Sequence, residues 1–220
     1  MKFVKSILVA AAGCLLPLAI QAAPVTSNPS LSINGLNFSG FTCSIAKSGI
    51  FADPDHCRDI NVNTITIPGN GIEISSGFTA AAFSFDDAVI GYHVSSASGI
   101  NSVGLDFNGT FLGLAISSVT ETVYSGENRV GMAKVSCSPF GCNETDNIVL
   151  DGSYDDLYIR KDINVSGTFG VAQISTIDQT FGTDAPEPAS LALFGSGLLG
   201  AAFWLRRRVK LDAGKTGTLA

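Results

Sequence analysis

The spacing of the cysteines gives the clearest indication of covalent chemistry in this sequence. Cys14 lies in an apolar N-terminal stretch, and Cys43, Cys57, Cys137 and Cys142 remain beyond it. An even number of cysteines in an oxidising compartment predicts two disulfides, and we favour the two pairs that are local in sequence, 43 with 57 and 137 with 142. Two other pairings are possible, and a zinc site is a further alternative, although no C-x-x-C pair supports it.

Two histidines could act as general bases. His56 precedes Cys57, whereas His93 stands between Tyr92 and Val94 in a segment of strand character and should face away from both. The sequence between the two ends contains no G-x-S-x-G elbow, H-E-x-x-H pair or Gly-rich phosphate loop. We therefore interpret both histidines as surface or hydrogen-bonded residues, and we predict a protein that is not an enzyme, with no catalytic residue and no cofactor.

Adjacent carboxylates occur twice, as Asp86-Asp87 and Asp155-Asp156. Glycoside hydrolysis needs two carboxyl groups on either side of one bond. Neighbouring residues in a strand point to opposite faces, so neither pair can share a site as strand neighbours. We interpret them as residues that solvate strand ends.

Two groups of aspartates could hold a hard cation on loops. Asp53, Asp55 and Asp59 cluster near the 43–57 segment, while Asp151 and Asp155 flank a Gly-Ser turn. Carboxylate oxygens on loops suit calcium, but neither group follows the EF-hand pattern. We predict no required metal and keep a structural calcium ion at these aspartates as the alternative.

A sugar-binding face needs exposed, flat aromatic side chains on which a sugar ring can stack. The single tryptophan, Trp204, belongs to a C-terminal apolar run. Tyr154 and Tyr158 bracket Asp155-Asp156-Leu157 and could present a polar aromatic patch. The alternative is that these tyrosines occupy the core or its rim.

The elements that must position these residues are strands, because the apolar residues between the two ends recur with period two. Val103, Leu105 and Phe107 alternate into Asn108-Gly109, which predicts a tight hairpin turn. Eight to ten such segments separated by turn residues predict an all-β fold, an antiparallel two-sheet sandwich of jelly-roll-like or Ig-like type.

The N-terminus has the three parts of a secretory signal peptide. Lys2 and Lys5 supply positive charge, residues 7–20 are apolar, and small residues follow. Cleavage after Ala22 would leave a secreted domain over residues 23–185.

The C-terminus carries a second targeting segment. Pro186-Glu187-Pro188 precede an uncharged 17-residue run, 189–205, and Arg206-Arg207-Arg208 follow it. As a helix the run would be about 25 Å long, enough for a single transmembrane helix, and the arginines would hold residues 209–220 in the cytoplasm.

This tripartite tail, residues 186–208, resembles the PEP-CTERM sorting signal of exported bacterial proteins. The resemblance implies recognition by exosortase, a membrane protease-transpeptidase, through Pro186, Glu187, Pro188 and the three arginines. It also implies a transient inner-membrane intermediate, a final place in the envelope or outside the cell, and association with exopolysaccharide or biofilm. The extension 209–220 departs from the usual pattern, in which the chain ends soon after the arginines.

The charge of the central domain excludes some partners. The whole chain has a formal charge of −6, but residues 23–185 carry 17 Asp and Glu against 6 Lys and Arg. An acidic surface repels nucleic acid, so we expect no nucleic-acid partner. Three functions remain: a non-enzymatic exported surface or matrix protein, a carbohydrate-binding module, and a secreted hydrolase.

Overall fold

The computed structural model describes residues 22–49, 52–53 and 56–183. Within these ranges the chain forms β-strands and two short 3-10 turns, and none of its helices is long and apolar enough to cross a membrane. The predicted signal peptide up to residue 21 and the predicted helix 189–205 lie outside the described residues. The elements are β1 (Ala23–Pro24), a 3-10 turn (Val25–Ser27), β2 (Leu31–Ile33), β3 (Leu36–Ser48), β4 (Ala52–Asp53), a second 3-10 turn (Cys57–Asp59), β5 (Asn61–Ile65), β6 (Gly71–Ala80), β7 (Ser84–Ser125), β8 (Asn128–Ser138), β9 (Gly141–Asn143) and β10 (Thr145–Thr183).

The strands form an antiparallel sandwich, as the alternation predicted. Its two layers share one continuous hydrogen-bonded path because β7 and β10 are long enough to cross from one layer to the other. The front sheet consists of β2, β3, β8, β9, residues 84–96 and 115–125 of β7, and residues 156–167 of β10. The back sheet consists of β1, β4, β5, β6, residues 100–107 of β7, and residues 145–149 and 177–183 of β10.

The predicted hairpin turn at Asn108-Gly109 is wrong. A hairpin would pair the residues before the turn with those after it, but Phe107 pairs with Ile177 and Gly109 pairs with Ile174, both in β10. The strand therefore continues through Asn-Gly, and this is where β7 leaves the back sheet for the front sheet. The local turn preference yields to the pairing of two long strands, which satisfies backbone groups on both sides of the crossing.

The core lies between the two sheets and is built from the inward face of each strand. Alternate residues of β7 and β10, such as Val119 and Val123 or Ile159 and Ile163, are fully buried. Packing between the layers is direct: the ring of Phe38 in β3 lies 5.7 Å from that of Phe181 at the end of β10. Burial of each such side chain contributes roughly 1.5–3 kcal/mol, which makes this interior the main stabilising feature of the fold.

Both local cysteine pairs form disulfides in the structure. Cys43 in β3 is joined to Cys57 in the second 3-10 turn, and Cys137 is joined to Cys142 across the β8–β9 hairpin. The first bond closes a loop with a sequence separation of 14, worth about 3 kcal/mol on the chain-entropy model. Because the four sulfurs are bonded in these two pairs, none is free as the thiolate that a zinc site would need.

Candidate functional site

Three aromatic rings lie side by side on the solvent side of the front sheet. Tyr158 of β10 is paired with Tyr124 of β7, and their ring centroids are 6.2 Å apart. On its other side, Tyr158 meets His93, with ring centroids 5.1 Å apart. These three residues, which come from three adjacent strand segments, are called the tyrosine face below.

Strand alternation explains why these rings point to solvent. Tyr92 and Val94 on either side of His93 are buried, as are Leu157 and Ile159 on either side of Tyr158. Since neighbours in a strand point to opposite faces, the residue between two buried ones must face outward. His93 accordingly faces away from Tyr92 and Val94, as the sequence predicted.

Charged side chains border the tyrosine face. His93 Nδ1 lies 3.4 Å from Asp156 Oδ2, and the two side chains are 50% and 59% exposed. Arg160 follows Tyr158 by two residues on the same face of β10, and its Nη2 lies 3.9 Å from Asp162 Oδ2. The face therefore combines flat rings with hydrogen-bond donors and acceptors of both charges, the side chains that orient a polyhydroxylated ligand.

Asp87 lies on the same outer surface, close to Asp162. Burial raises the pKa of Asp87, and the charge of Asp162 and a hydrogen bond with it raise that pKa further, while the nearby Arg160 opposes the rise. Asp86, its neighbour in the chain, is buried. The Asp86-Asp87 pair is therefore split across the sheet, and Asp87 interacts with a carboxylate from another strand.

Tyr154 and Tyr158 do not form a common patch. Tyr154 packs against the hydrophobic core, and its hydroxyl donates a hydrogen bond to Asp151 Oδ1. That hydrogen bond raises the pKa of Tyr154, with smaller contributions from burial and from the charge of Asp151. Between the two tyrosines the β10 register shifts, so their spacing along the chain does not bring them together.

The aspartates considered for calcium do not converge within the described part of the chain. Asp59 accepts a hydrogen bond from the backbone N–H of His56 at 3.2 Å and lies 3.7 Å from Arg58, so its carboxylate caps the 3-10 turn. Among the described residues, Cys137, Cys142 and Glu144 are the group of three potential ligands that comes together, and its cysteines are disulfide-bonded. The side chains of Asp53 and Asp55 lie outside the described residues, and Asp151 and Asp155 are exposed.

An acidic cleft lies on the back sheet. Asp106, Glu144, Asp178 and Thr176 are among the residues that line its volume of about 270 Å³. Burial raises the pKa of Asp178, and the charges of Glu73 and Asp106 add to the rise; burial also raises the pKa of Asp106. The cleft brings together carboxylates from distant segments, which no local spacing in the sequence indicated.

A buried ion pair connects the two sheets. Lys161 and Glu121 of the front sheet and Gln179 of the back sheet are fully buried, and the Lys161 ammonium donates to both Glu121 and Gln179. Gln179 Nε2 donates to the carbonyl of Gly104 at 2.9 Å and to Glu121 Oε1 at 3.2 Å. Burial lowers the pKa of Lys161, while the charge of Glu121 opposes that shift.

This buried pair was not predicted from the sequence, although a signal was present. Glu121 stands between Val119 and Val123, and Lys161 stands between Ile159 and Ile163, at positions that the alternation assigns to the inward face. A charge at an inward position of one strand and an opposite charge at an inward position of another predict a buried pair, provided the strands are neighbours.

The tail matches a known family of sorting signals, whereas the domain resembles solved structures only distantly. Residues 184–208 match the family described as the PEP-CTERM protein-sorting motif. No curated protein matches the sequence.

Solved structures with a similar arrangement of strands are distant. TmCBM61 in complex with beta-1,4-galactotriose is 9% identical, with a TM-score of 0.34 over 63% of this chain and 88% of that one. The enzymatically active domain of bacteriophage CBA120 tailspike protein 4 is 12% identical, with a TM-score of 0.33 over 64% of this chain and 19% of that one. TmCBM27, a carbohydrate-binding module with specific mannan recognition, is 8% identical, with a TM-score of 0.30 over 66% of this chain and 98% of that one. At TM-scores this low the likeness carries no argument about ligand or activity.

Proposed function

Because the chain carries the PEP-CTERM sorting motif and is therefore an exported protein, we propose that it is a non-enzymatic surface or matrix protein whose sandwich binds polysaccharide through the tyrosine face. In this proposal exosortase recognises the tail, and the inner membrane holds the chain only until processing. Its final place is the cell envelope or the extracellular matrix.

The row of rings formed by Tyr124, Tyr158 and His93 is the observation that supports a sugar ligand. The apolar faces of sugar rings stack on aromatic side chains, and the polar groups beside the rings can receive the hydroxyls. The row crosses an open sheet surface, and a surface of that shape suits an extended polymer better than a small molecule enclosed in a pocket.

The charge of the domain narrows the class of polysaccharide. Residues 23–185 carry an excess of 11 negative charges, which would repel a polyanionic polymer as it repels nucleic acid. Neutral polysaccharides avoid that repulsion, so we expect them to be retained better than acidic ones at low ionic strength.

A binding role rather than a hydrolytic one is supported by the surroundings of His93. His93 and Asp156 are about half exposed on the open sheet, and neither lines the acidic cleft. A general base works best in a site that excludes water around the reacting bond.

Affinity electrophoresis of the exported protein in gels containing single polysaccharides tests the sugar site. Tyr158→Ala should weaken retention by about twofold to twelvefold, the effect of losing one stacking contact of about 0.5–1.5 kcal/mol. Tyr158→Phe keeps the ring and should retain most of the binding.

Tyr154→Ala is the matched control, since Tyr154 is a half-buried tyrosine of the same strand that lies away from the row. Equal losses in Tyr154→Ala and Tyr158→Ala, or no retention of the unaltered protein on any polysaccharide, would refute the site.

Sorting is tested separately with an epitope tag placed after Ala220 in a host that contains exosortase. We expect the tag to be lost from the exported chain, and replacement of Pro186 and Pro188 by alanine to preserve it. A tag that persists on the unaltered full-length chain contradicts processing by exosortase, whatever the domain binds.

A further inference from the structure

Three uncharged segments of the chain meet where β7 and β10 cross between the sheets. No charged residue occurs between Glu73 and Asp86, between Asp106 and Glu121, or between Asp162 and Asp178. Residues 109–114 of β7 pair with residues 169–174 of β10, and Ala82 bridges to Gly167 in this region. These three segments therefore give one end of an otherwise acidic domain a surface without charged side chains of their own, bordered by Asp53 of β4, which pairs with Thr79.

This end also exposes large apolar side chains that lie next to each other. Leu112 is paired with Val171, and Leu114 is paired with Phe169, so each pair lies on one side of the ladder. The ring of Phe83 meets that of Phe169 edge to face, 5.1 Å between centroids. We define the apolar corner as six residues with exposed fractions from 41% to 74%: Phe83, Leu112, Leu114, Ile116, Phe169 and Val171.

The apolar corner is large for a monomer. At these exposures each side chain presents on the order of 100 Å², so the corner presents roughly 600 Å² of apolar surface, the upper end of what monomeric proteins expose. This area approaches the roughly 800 Å² per partner that a stable protein–protein interface buries.

The chain's own tail is poorly placed to cover this surface. From Phe169, β10 runs on to Thr183, where the described chain ends, a length on the order of 40 Å. Residues 184 to about 195 would be consumed in reaching back over that distance, leaving only part of the apolar run 189–205 to cover the corner.

We propose that the apolar corner is a self-association surface, on which a second copy of this chain packs its own corner in a two-fold contact. Two acidic domains repel each other wherever their carboxylates face each other, and the uncharged corner is where two copies can approach without that repulsion. An isologous contact needs a patch complementary to itself, and an apolar surface without charged side chains of its own can meet that need. This inference does not depend on the tyrosine face, which lies elsewhere on the front sheet.

Photo-crosslinking of the full chain in exporting cells tests the inference. p-Benzoylphenylalanine replaces Phe169 in a chain co-expressed with a second, differently tagged copy. Irradiation should give an adduct that carries both tags, at twice the mass of the chain. The same probe in place of Tyr158 is the matched control and should give at least tenfold less of that adduct.

Leu114→Glu, made in the chain with the probe at position 169, should reduce the adduct at least tenfold by placing two carboxylates in the contact. Leu112→Glu provides a second such change at a more exposed position, and Thr122→Glu, which adds the same charge on the outer face of β7, should leave the yield unchanged. Export of the oxidised chain verifies folding of each variant. No two-copy adduct from position 169, an equal yield from position 158, or adducts with lipid or other proteins alone would overturn the proposal.

Discussion

Two neighbouring basic residues of the front sheet lie in opposite environments, one exposed to solvent and one buried in the core. Arg160 and Lys161 follow one another in β10, so they point to opposite faces. Arg160 is 43% exposed and lies 3.9 Å from Asp162 on the outer side, whereas Lys161 is fully buried against Glu121 and Gln179. The two ion pairs have similar chemistry and are adjacent in sequence, yet one is in water and the other is in the core.

The difference shows that burial, and not the presence of an ion pair, decides what such a pair contributes. An exposed pair gains little because water screens the attraction and the side chains must be ordered. A buried pair has lost hydration on both charges, so each partner becomes essential to the other even where the pair as a whole stabilises the fold little. A single substitution in the exposed pair should therefore cost little stability. A single substitution in the buried pair should cost much more, because it leaves the other charge unpaired in the core.

The largest predicted effect is on the inner side. Lys161→Met should lower the free energy of unfolding by about 3–5 kcal/mol, because it leaves the Glu121 carboxylate buried without its cation. Denaturant unfolding with disulfides intact measures this loss. The double change Lys161→Met with Glu121→Met should cost less than the single one, since no charge is then left in the core. A double variant less stable than Lys161→Met would contradict the account of the pair.

The next largest effect is on the stability contributed by Asp87, on the outer side of the sheet, and it should depend on pH. Burial and Asp162 raise the pKa of folded Asp87, so the folded state holds a proton that the unfolded state has lost as pH rises above the ordinary range of aspartate. Stability from this group is present at low pH and is lost as pH rises through the raised pKa. Asp87→Asn cannot ionise, so it should have a higher Tm than the unaltered protein at neutral pH, and this advantage should shrink toward about pH 4. The same advantage at both pH values would show that Asp87 does not titrate in this way.

The smallest effect is expected for the exposed cation. Arg160→Ala should change the free energy of unfolding by no more than about 1 kcal/mol, because the Arg160–Asp162 pair is screened by solvent. It should nevertheless make stability depend more steeply on pH through Asp87, since Arg160 opposes the rise in the pKa of Asp87. Thermal unfolding of Arg160→Ala at a series of acidic pH values measures both the change in stability and its dependence on pH. A loss as large as that of Lys161→Met would mean that the two sides of the sheet do not differ as described.

Much of the fold could be predicted from residues close together in sequence. Alternation indicated the strands and placed His93 outward, and the short separations of the cysteines favoured the two disulfides that form. The predicted turn at Asn108-Gly109 failed because local turn preference was outweighed by the pairing of that segment with β10.

The candidate site could be predicted only in part. Tyr158 was recognised as a possible sugar contact, but its expected partner, Tyr154, turned out to contact Asp151 and the core. Its actual neighbours, Tyr124 and His93, are far from it in the sequence and adjoin it because their strands are adjacent in the front sheet.

The sequence by itself determined that the protein is exported, where the strands lie, and the side of each strand on which a residue lies, because charge, hydrophobicity and the period of two act along the chain. Tertiary structure alone decided which strands are neighbours, and therefore that Lys161 meets Glu121, that three rings form a row, and that three uncharged segments share one corner. The physical reason is that side chains on different strands interact only after two long strands have crossed between the sheets, and burying the whole core selects that crossing.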